Sequence, residues 1–163
     1  MELYHRYSKA MYNICTRMMG LEAEAQDVLQ DAFVRAFTNL NAFKGDATFG
    51  AWLKRIVINT CVTALNKRNK NPWLSIDEHA HTMLAEPDEE AETSISPALI
   101  HHAIKQLPDG CRAVFTLYAL EGYDHVEIAQ VLGISASTSK SQYHRARTLL
   151  RARLEKNTDH EKA

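Results

Sequence analysis

The stretch from Tyr123 to Arg147 constrains this chain most, because it spells two short helices hinged at a glycine. Asp124, with Glu127 three positions on, has the form of a capping box, in which each side chain serves the other residue's backbone N–H. Val126, Ile128, Ala129, Val131 and Leu132 follow as packing positions, and Ala129 is small enough to let a second helix approach closely. Gly133 supplies the tight turn, Ile134 plugs it, and Ser135 caps the next helix through its side-chain oxygen. On that second helix Ser139, Tyr143, Ala146 and Leu150 are spaced to face inward. Lys140, Ser141, His144, Arg145 and Arg147 are spaced to face outward.

Such a pair is a helix-turn-helix, whose second helix enters the DNA major groove with its N-terminal residues at base edges. Cations further along the same helix lie against phosphates and fix register. From 140 to 156 there are six Lys or Arg and one Glu. The plainer alternative is an amphipathic hairpin with an ordinary solvated face, and the basic skew weighs against it.

The rest of the chain reads as helices too. Residues 2–18 place Leu3, Tyr7, Ala10, Met11, Ile14 and Met18 on one broad face, and Gly20 ends that helix. Residues 22–39 carry an apolar side of Val28, Leu29, Ala32, Phe33, Ala36, Phe37 and Leu40. Phe43 to Phe49 is a turn packed down by its two aromatics. A third helix, Phe49 to Lys67, repeats Trp52, Leu53, Ile56, Val57, Thr60, Cys61 and Ala64 at the helical period. Pro97 starts a helix that Pro108 and Gly110 end. Arg112 to Leu120 is the next helical stretch, stopped by Gly122. No strand pattern persists. The expectation is an all-α chain of two small helical domains: 1–70, an acidic flexible linker 71–97, a helix-turn-helix domain 98–156 and a tail 157–163.

The net charge of −1 conceals segregation. Residues 1–70 hold ten basic and six acidic side chains, residues 71–98 seven acidic and none basic, and residues 99–163 nine basic and seven acidic. Local charge, not the average, steers a polyanion. No stretch approaches the roughly 18 apolar residues of a membrane span, and the first residues have no signal-peptide pattern. Cys15, Cys61 and Cys111 are odd in number and set among apolar neighbours, which favours buried thiols over a disulfide framework. The expected compartment is the cytoplasm.

A second basic segment lies before the acidic one. From Lys54 to Lys70 there are five cations (Lys54, Arg55, Lys67, Arg68, Lys70) and no acid. Cations at a helix C-terminus are favourable in any protein. Together with exposed aromatics they also suit an unpaired nucleic-acid strand, rings stacking on bases and cations holding the backbone. Trp52 fits either the core or such a surface. Asn59 is a poor helix former placed mid-helix, with an amide suited to base edges. On the preceding helix, Asp27 and Asp31 share one side with Arg35, either as a tolerated surface or as a negative patch for a basic protein partner.

These segments resemble the extracytoplasmic-function branch of the bacterial sigma-70 family. Asp27-Val-Leu-Gln-Asp-Ala-Phe-Val-Arg-Ala-Phe37 and Phe43-Lys-Gly-Asp-Ala-Thr-Phe-Gly-Ala-Trp-Leu-Lys-Arg-Ile-Val-Ile-Asn59 resemble region 2. Leu107 to Leu117 and Glu127 to Arg147 resemble region 4. The resemblance implies a dissociable promoter-specificity subunit of RNA polymerase. It implies that region 2 binds the clamp coiled coil of the β′ subunit through Asp27, Gln30, Asp31 and Arg35. It also implies that region 2 opens and holds the −10 element through Lys54, Arg55, Asn59, Lys67 and Arg68, with a base pocket near the loop Phe43 to Phe49. Region 4 would dock on the β flap and read the −35 duplex with Ser135, Ser137, Thr138, Lys140, Ser141, His144, Arg145 and Arg147. The acidic linker would run near the RNA exit path, and an anti-sigma factor is the usual regulator. Departures from the pattern are Ser137 for the usual Gly, Ser139 for Val, Gln142 for Arg and Thr63 for a frequent Asp. With the departures in the recognition helix, one phosphate or base contact is expected to be missing, so the promoter sequence does not follow from the pattern.

Enzymatic motifs are not evident. The histidines His5, His79, His81, His101, His102, His125, His144 and His160 form no metal-ligand spacing. There is no phosphate loop and no nucleophile elbow. No metal, cofactor or catalytic residue is expected. The competing reading is a stand-alone helix-turn-helix regulator, which would dimerise on a palindrome and bind duplex tightly without polymerase.

Overall fold

A computed structural model of the protein describes residues 2–68 and 96–162, with side chains up to residue 157. The elements are α1 (Glu2–Met19), α2 (Glu22–Thr38), a 3-10 turn (Leu40–Ala42), α3 (Phe49–Arg68), α4 (Pro97–Lys105), α5 (Asp109–Phe115) running into a π-helical turn (Thr116–Leu120), α6 (His125–Leu132) and α7 (Ala136–Lys162). The described residues contain no strand, so the chain is all-α, and they fall into two compact units. The acidic stretch expected as a linker lies outside the described residues up to residue 95, as do His79 and His81.

In the first unit α1, α2 and α3 pack against one another. Met11, Ile14, Cys15, Met18 and Met19 of α1 meet Val28, Leu29, Ala32 and Phe33 of α2 and Leu53, Val57, Cys61 and Leu65 of α3 in one buried core. Gly20, at φ 75°, turns the chain between α1 and α2 in the left-handed region that a side chain would strain. All three cysteines are free and buried. Cys61 Sγ lies 3.9 Å from Cys15 Sγ, and that contact, with burial, holds the Cys61 thiol well above its ordinary range.

Arg68 closes this unit. Its guanidinium pairs with Glu24 of α2, and its Nη2 donates to the Met19 carbonyl at 2.9 Å. The last carbonyls of α1 have no partner within their own helix, and a cation is a favourable one.

In the second unit α4, α5 and α6 all pack on α7. Ala103, Ile104 and Leu107 meet Cys111 of α5 and Ala146 and Leu150 of α7. Pro97 sits in the first turn of α4, where its missing N–H costs nothing. Arg112 is buried, with Nη1 donating to the Leu107 carbonyl at 2.7 Å and Nη2 paired with Asp109, so it ties the α4–α5 turn.

Several expectations for packing are corrected. Val126 is 61% exposed, and Phe37 and Leu40 of the first unit are 43% and 42% exposed, so none is a core residue. Ala10 is exposed as well. Gln142 is buried, while Tyr143 is only half-buried. Helix α7 runs on through residues 157–162, the stretch set apart as a tail on sequence grounds.

Candidate nucleic-acid interface

The start of α6 forms as its sequence dictates. Asp124 Oδ1 accepts from the Glu127 N–H at 2.8 Å, and Glu127 Oε1 accepts from the Asp124 N–H at 3.3 Å. The Glu127 amide holds the exposed Asp124 carboxyl below its ordinary pKa. Gly133, at φ 69° and ψ 36°, ends α6 in the left-handed conformation. Ser135 Oγ then accepts from the Thr138 N–H at 3.1 Å and donates to Thr138 Oγ1 at 2.8 Å, capping α7. Ser137 Oγ lies 3.1 Å from Ser135 Oγ, so three hydroxyls gather at the N-terminus of α7.

Along α7 two faces separate. Ser139, Gln142, Ala146 and Leu150 are buried. Opposite them, Lys140, His144 and Arg147 recur at i, i+4 and i+7, with Ser137, Ser141 and Arg145 beside them at i, i+4 and i+8. Ser137 and Lys140 are exposed; Ser141, His144, Arg145 and Arg147 are partly so. Ser141 Oγ donates back to the Ser137 carbonyl at 3.0 Å, which leaves its lone pairs outward. Arg147 lies with its guanidinium carbon 5.7 Å from the Tyr143 ring centroid, a cation–π contact that extends the cation along the surface. Arg145 is nearer the α5 side, where its charge opposes the rise that burial imposes on the Cys111 thiol.

Gln142 does not belong to this face. Its Oε1 accepts from Cys111 Sγ at 2.9 Å inside the unit. The substitution at this position therefore supplies a core contact between α5 and α7, a role that the outward Arg expected there would not fill.

A ring cluster braces the hairpin. The Tyr118 and His125 rings stack with centroids 4.4 Å apart and planes at 14°. Tyr143 meets Tyr118 at 4.5 Å and His125 at 5.9 Å, and Phe115 stacks on Tyr143 at 5.9 Å. His125 Nδ1 lies 2.8 Å from the buried Ser139 Oγ. Sequence reasoning treated His125 only as an isolated histidine, although its place one residue after the cap was a signal.

In the first unit, α3 presents a polar strip. Arg55, Asn59, Thr63 and Lys67 are exposed and recur every four residues, and Lys54 beside them is partly exposed. Thr63 Oγ1 donates to the Asn59 main-chain carbonyl at 3.0 Å, and the Asn59 side chain is exposed on the same strip. Arg68, the other cation expected at the DNA, has its guanidinium on Glu24 and the Met19 carbonyl. At the other end of α3, Phe43 and Phe49 close on Trp52 at 5.3 and 5.6 Å, and Tyr7 reaches Phe49 at 5.5 Å. Gly50 permits this, because a Cβ there would sit 3.1 Å from the Tyr7 ring. Trp52 is half-buried in that cluster.

On α2, Asp27, Gln30, Asp31 and Arg35 are all exposed. Val34 stands among them at 64% exposure. A single exposed aliphatic side chain is ordinary on a protein surface, but Phe37, three positions on in the same helix, is 43% exposed as well.

A helix-turn-helix unit with a basic outer face, preceded by a three-helix unit with a polar strip and an acid-lined helix, defines a two-module transcription protein. The Sigma-70 region 2 family profile matches residues 3–71, and the Sigma-70, region 4 profile matches residues 98–150. The ECF RNA polymerase sigma factor SigW of Bacillus subtilis is 30% identical over 158 residues, covering 91% of this chain and 84% of that protein. The RNA polymerase sigma-H factor of Pseudomonas aeruginosa is 32% identical over 152 residues, covering 87% and 79%. The fold is shared with the sigma factor RpoE of Bartonella quintana, solved in complex with the anti-sigma factor NepR, at a TM-score of 0.61 and 21% identity over 94% of this chain and 95% of that one. The protein belongs to the ECF sigma factors of the sigma-70 family.

Proposed function

We propose that this ECF sigma factor binds core RNA polymerase through α2 of its first unit and reads promoter DNA with α3 and α7. In this scheme residues 1–70 act on the −10 element and residues 98–156 on the −35 duplex. The observation that carries it is the division of α7 into a buried face and a basic outer face directly behind a capped N-terminus. That arrangement suits groove insertion, with Ser137, Thr138, Lys140, Ser141 and His144 toward base edges and Arg145 and Arg147 toward phosphates.

The strip on α3 suits a single strand. Arg55 and Lys67 are spaced to follow a backbone, and Asn59 offers both a donor and an acceptor to a base edge. Unstacking a base costs on the order of a few kcal/mol, and the ring cluster beside the loop 43–49 is the surface that would replace the lost stacking. On α2, Asp27, Gln30, Asp31 and Arg35 surround Val34, an apolar centre with a polar rim, as protein interfaces are built. Its partner would be the β′ clamp coiled coil, while the second unit would dock on the β flap. An anti-sigma factor is the expected regulator and the cytoplasm the expected compartment. The chain supplies binding energy; bond formation belongs to the polymerase.

The test is a promoter-opening assay with core polymerase and this protein, together and apart. Opening and a footprint with two upstream blocks are expected only from the mixture. Tight, specific duplex binding by the chain alone, with no core complex, would replace the proposal by a stand-alone regulator.

A further inference from the structure

We propose that His125 is a positioning residue for the DNA-reading helix: its contact with Ser139 Oγ sets the roll of α7, and so the outward direction of Lys140, Ser141 and His144. The proposal rests on the assignment of α7 as the reading helix.

Ser139 is fully buried on α7. A hydroxyl in that setting is penalised unless it is matched, and its match is His125 Nδ1 at 2.8 Å. The imidazole has little freedom to choose another partner. Tyr118 covers one face at 4.4 Å, and Tyr143 abuts it at 5.9 Å and 63°. Its backbone is fixed too, since His125 is the first residue of α6, directly behind the Asp124–Glu127 capping box. A polar bond thus runs from the start of one helix to the residue that precedes Lys140 on the other.

A satisfied buried hydrogen bond between defined atoms specifies and stiffens helix packing beyond what apolar contact alone does. Base readout depends on such angles, because the donor and acceptor pattern of a base edge is met only by side chains delivered in the right direction. The charged groups facing the ring are Lys140 from α7 and Asp124 from the cap. Burial and the nearby Lys140 favour the uncharged imidazole. The neutral ring serves Ser139 in either tautomer, as donor or acceptor.

Three variants of the full chain test this. His125→Phe keeps a stacked ring and removes the hydrogen bond. His125→Asn keeps a polar atom near Nδ1 and removes the ring. Ser139→Ala removes the other partner. In His125→Phe and Ser139→Ala, amide exchange over residues 138–144 is expected to quicken about tenfold while residues 111–117 are unchanged. In the holoenzyme, preference for the mapped −35 duplex over a scrambled one is expected to fall about tenfold, with core binding intact. The double variant is expected to lose no more than either single one, and His125→Asn is expected to recover part of the preference.

Unchanged exchange in both variants would overturn the proposal, as would additive losses. Faster exchange with undiminished preference would overturn the link from roll to reading. If the parent chain shows no −35 preference, the assignment of α7 as reading helix fails, and with it the reading half of the proposal. The exchange data would still decide whether His125 holds α7.

Discussion

Cys111 Sγ and Gln142 Oε1 lie 2.9 Å apart and join α5 to the buried face of α7. A polar side chain at position 142 is therefore part of the second unit's core. Gln142→Leu keeps the volume but leaves the Cys111 thiol without its acceptor and is expected to cost about 1 kcal/mol. Gln142→Arg buries a cation beside Arg112 and Arg145 and is expected to cost about 3 kcal/mol. Urea unfolding of the full chain, followed through its second unit, checks both values. A stabilising Arg would show that position 142 turns outward.

Arg68 and Lys67 are adjacent, yet only Lys67 is left outside the latch to Glu24 and Met19. Arg68→Ala is expected to lower the stability of the first unit by about 1 kcal/mol and to leave the salt dependence of promoter binding unchanged. Lys67→Ala is expected to leave melting unchanged and to reduce the slope of log affinity against log salt by about 0.7, one single-strand phosphate contact. Binding isotherms of the holoenzyme at several salt concentrations separate the two.

His125 is expected to make the second unit sensitive to mild acid. Burial first, then Lys140, lowers its pKa below the ordinary 6.5. The native state therefore resists the proton that the unfolded chain accepts. Stability from this group is complete above pH 6.5, declines as pH falls through that value, and levels off below the folded pKa. Asp124 acts in a lower window: its stabilisation is present above the ordinary 3.8 and is lost as pH falls from there toward its lowered folded value. Thermal midpoints of the parent and His125→Asn chains between pH 8 and pH 5 are expected to converge as pH falls. Parallel curves would contradict the assignment.

On α2, Val34 and Asp31 are expected to matter to polymerase and not to the fold. Both are exposed. Asp31→Lys and Val34→Asp are each expected to weaken capture of core polymerase about tenfold or more, with thermal melting unchanged. Equal capture by parent and variants would remove this face from the interface.

The features most legible in the sequence were those fixed locally. Gly20, the Asp124–Glu127 box, Gly133 and Ser135 each determine a helix end through backbone geometry or one nearby side chain, and each stands where expected. Helical period also placed Lys140, Ser141 and His144 outward. What was not legible depended on partners distant in sequence. Arg68 resembled any cation at a helix end until Glu24 and the Met19 carbonyl met it. Gln142 read as one of the departures in the recognition helix until Cys111 stood opposite. Val126, Phe37 and Leu40 satisfied the apolar pattern, but among the described residues no helix of their own unit covers them. Period identifies a face and does not supply the neighbour that buries it.

The most direct test is transcription in vitro from a mixed genomic template by core RNA polymerase, with and without this protein. The account predicts new discrete transcripts whose starts share two upstream elements, and loss of the −35-dependent class when Lys140 and His144 are replaced by Ala. An unchanged transcript set, together with no complex between the chain and core polymerase, would contradict it.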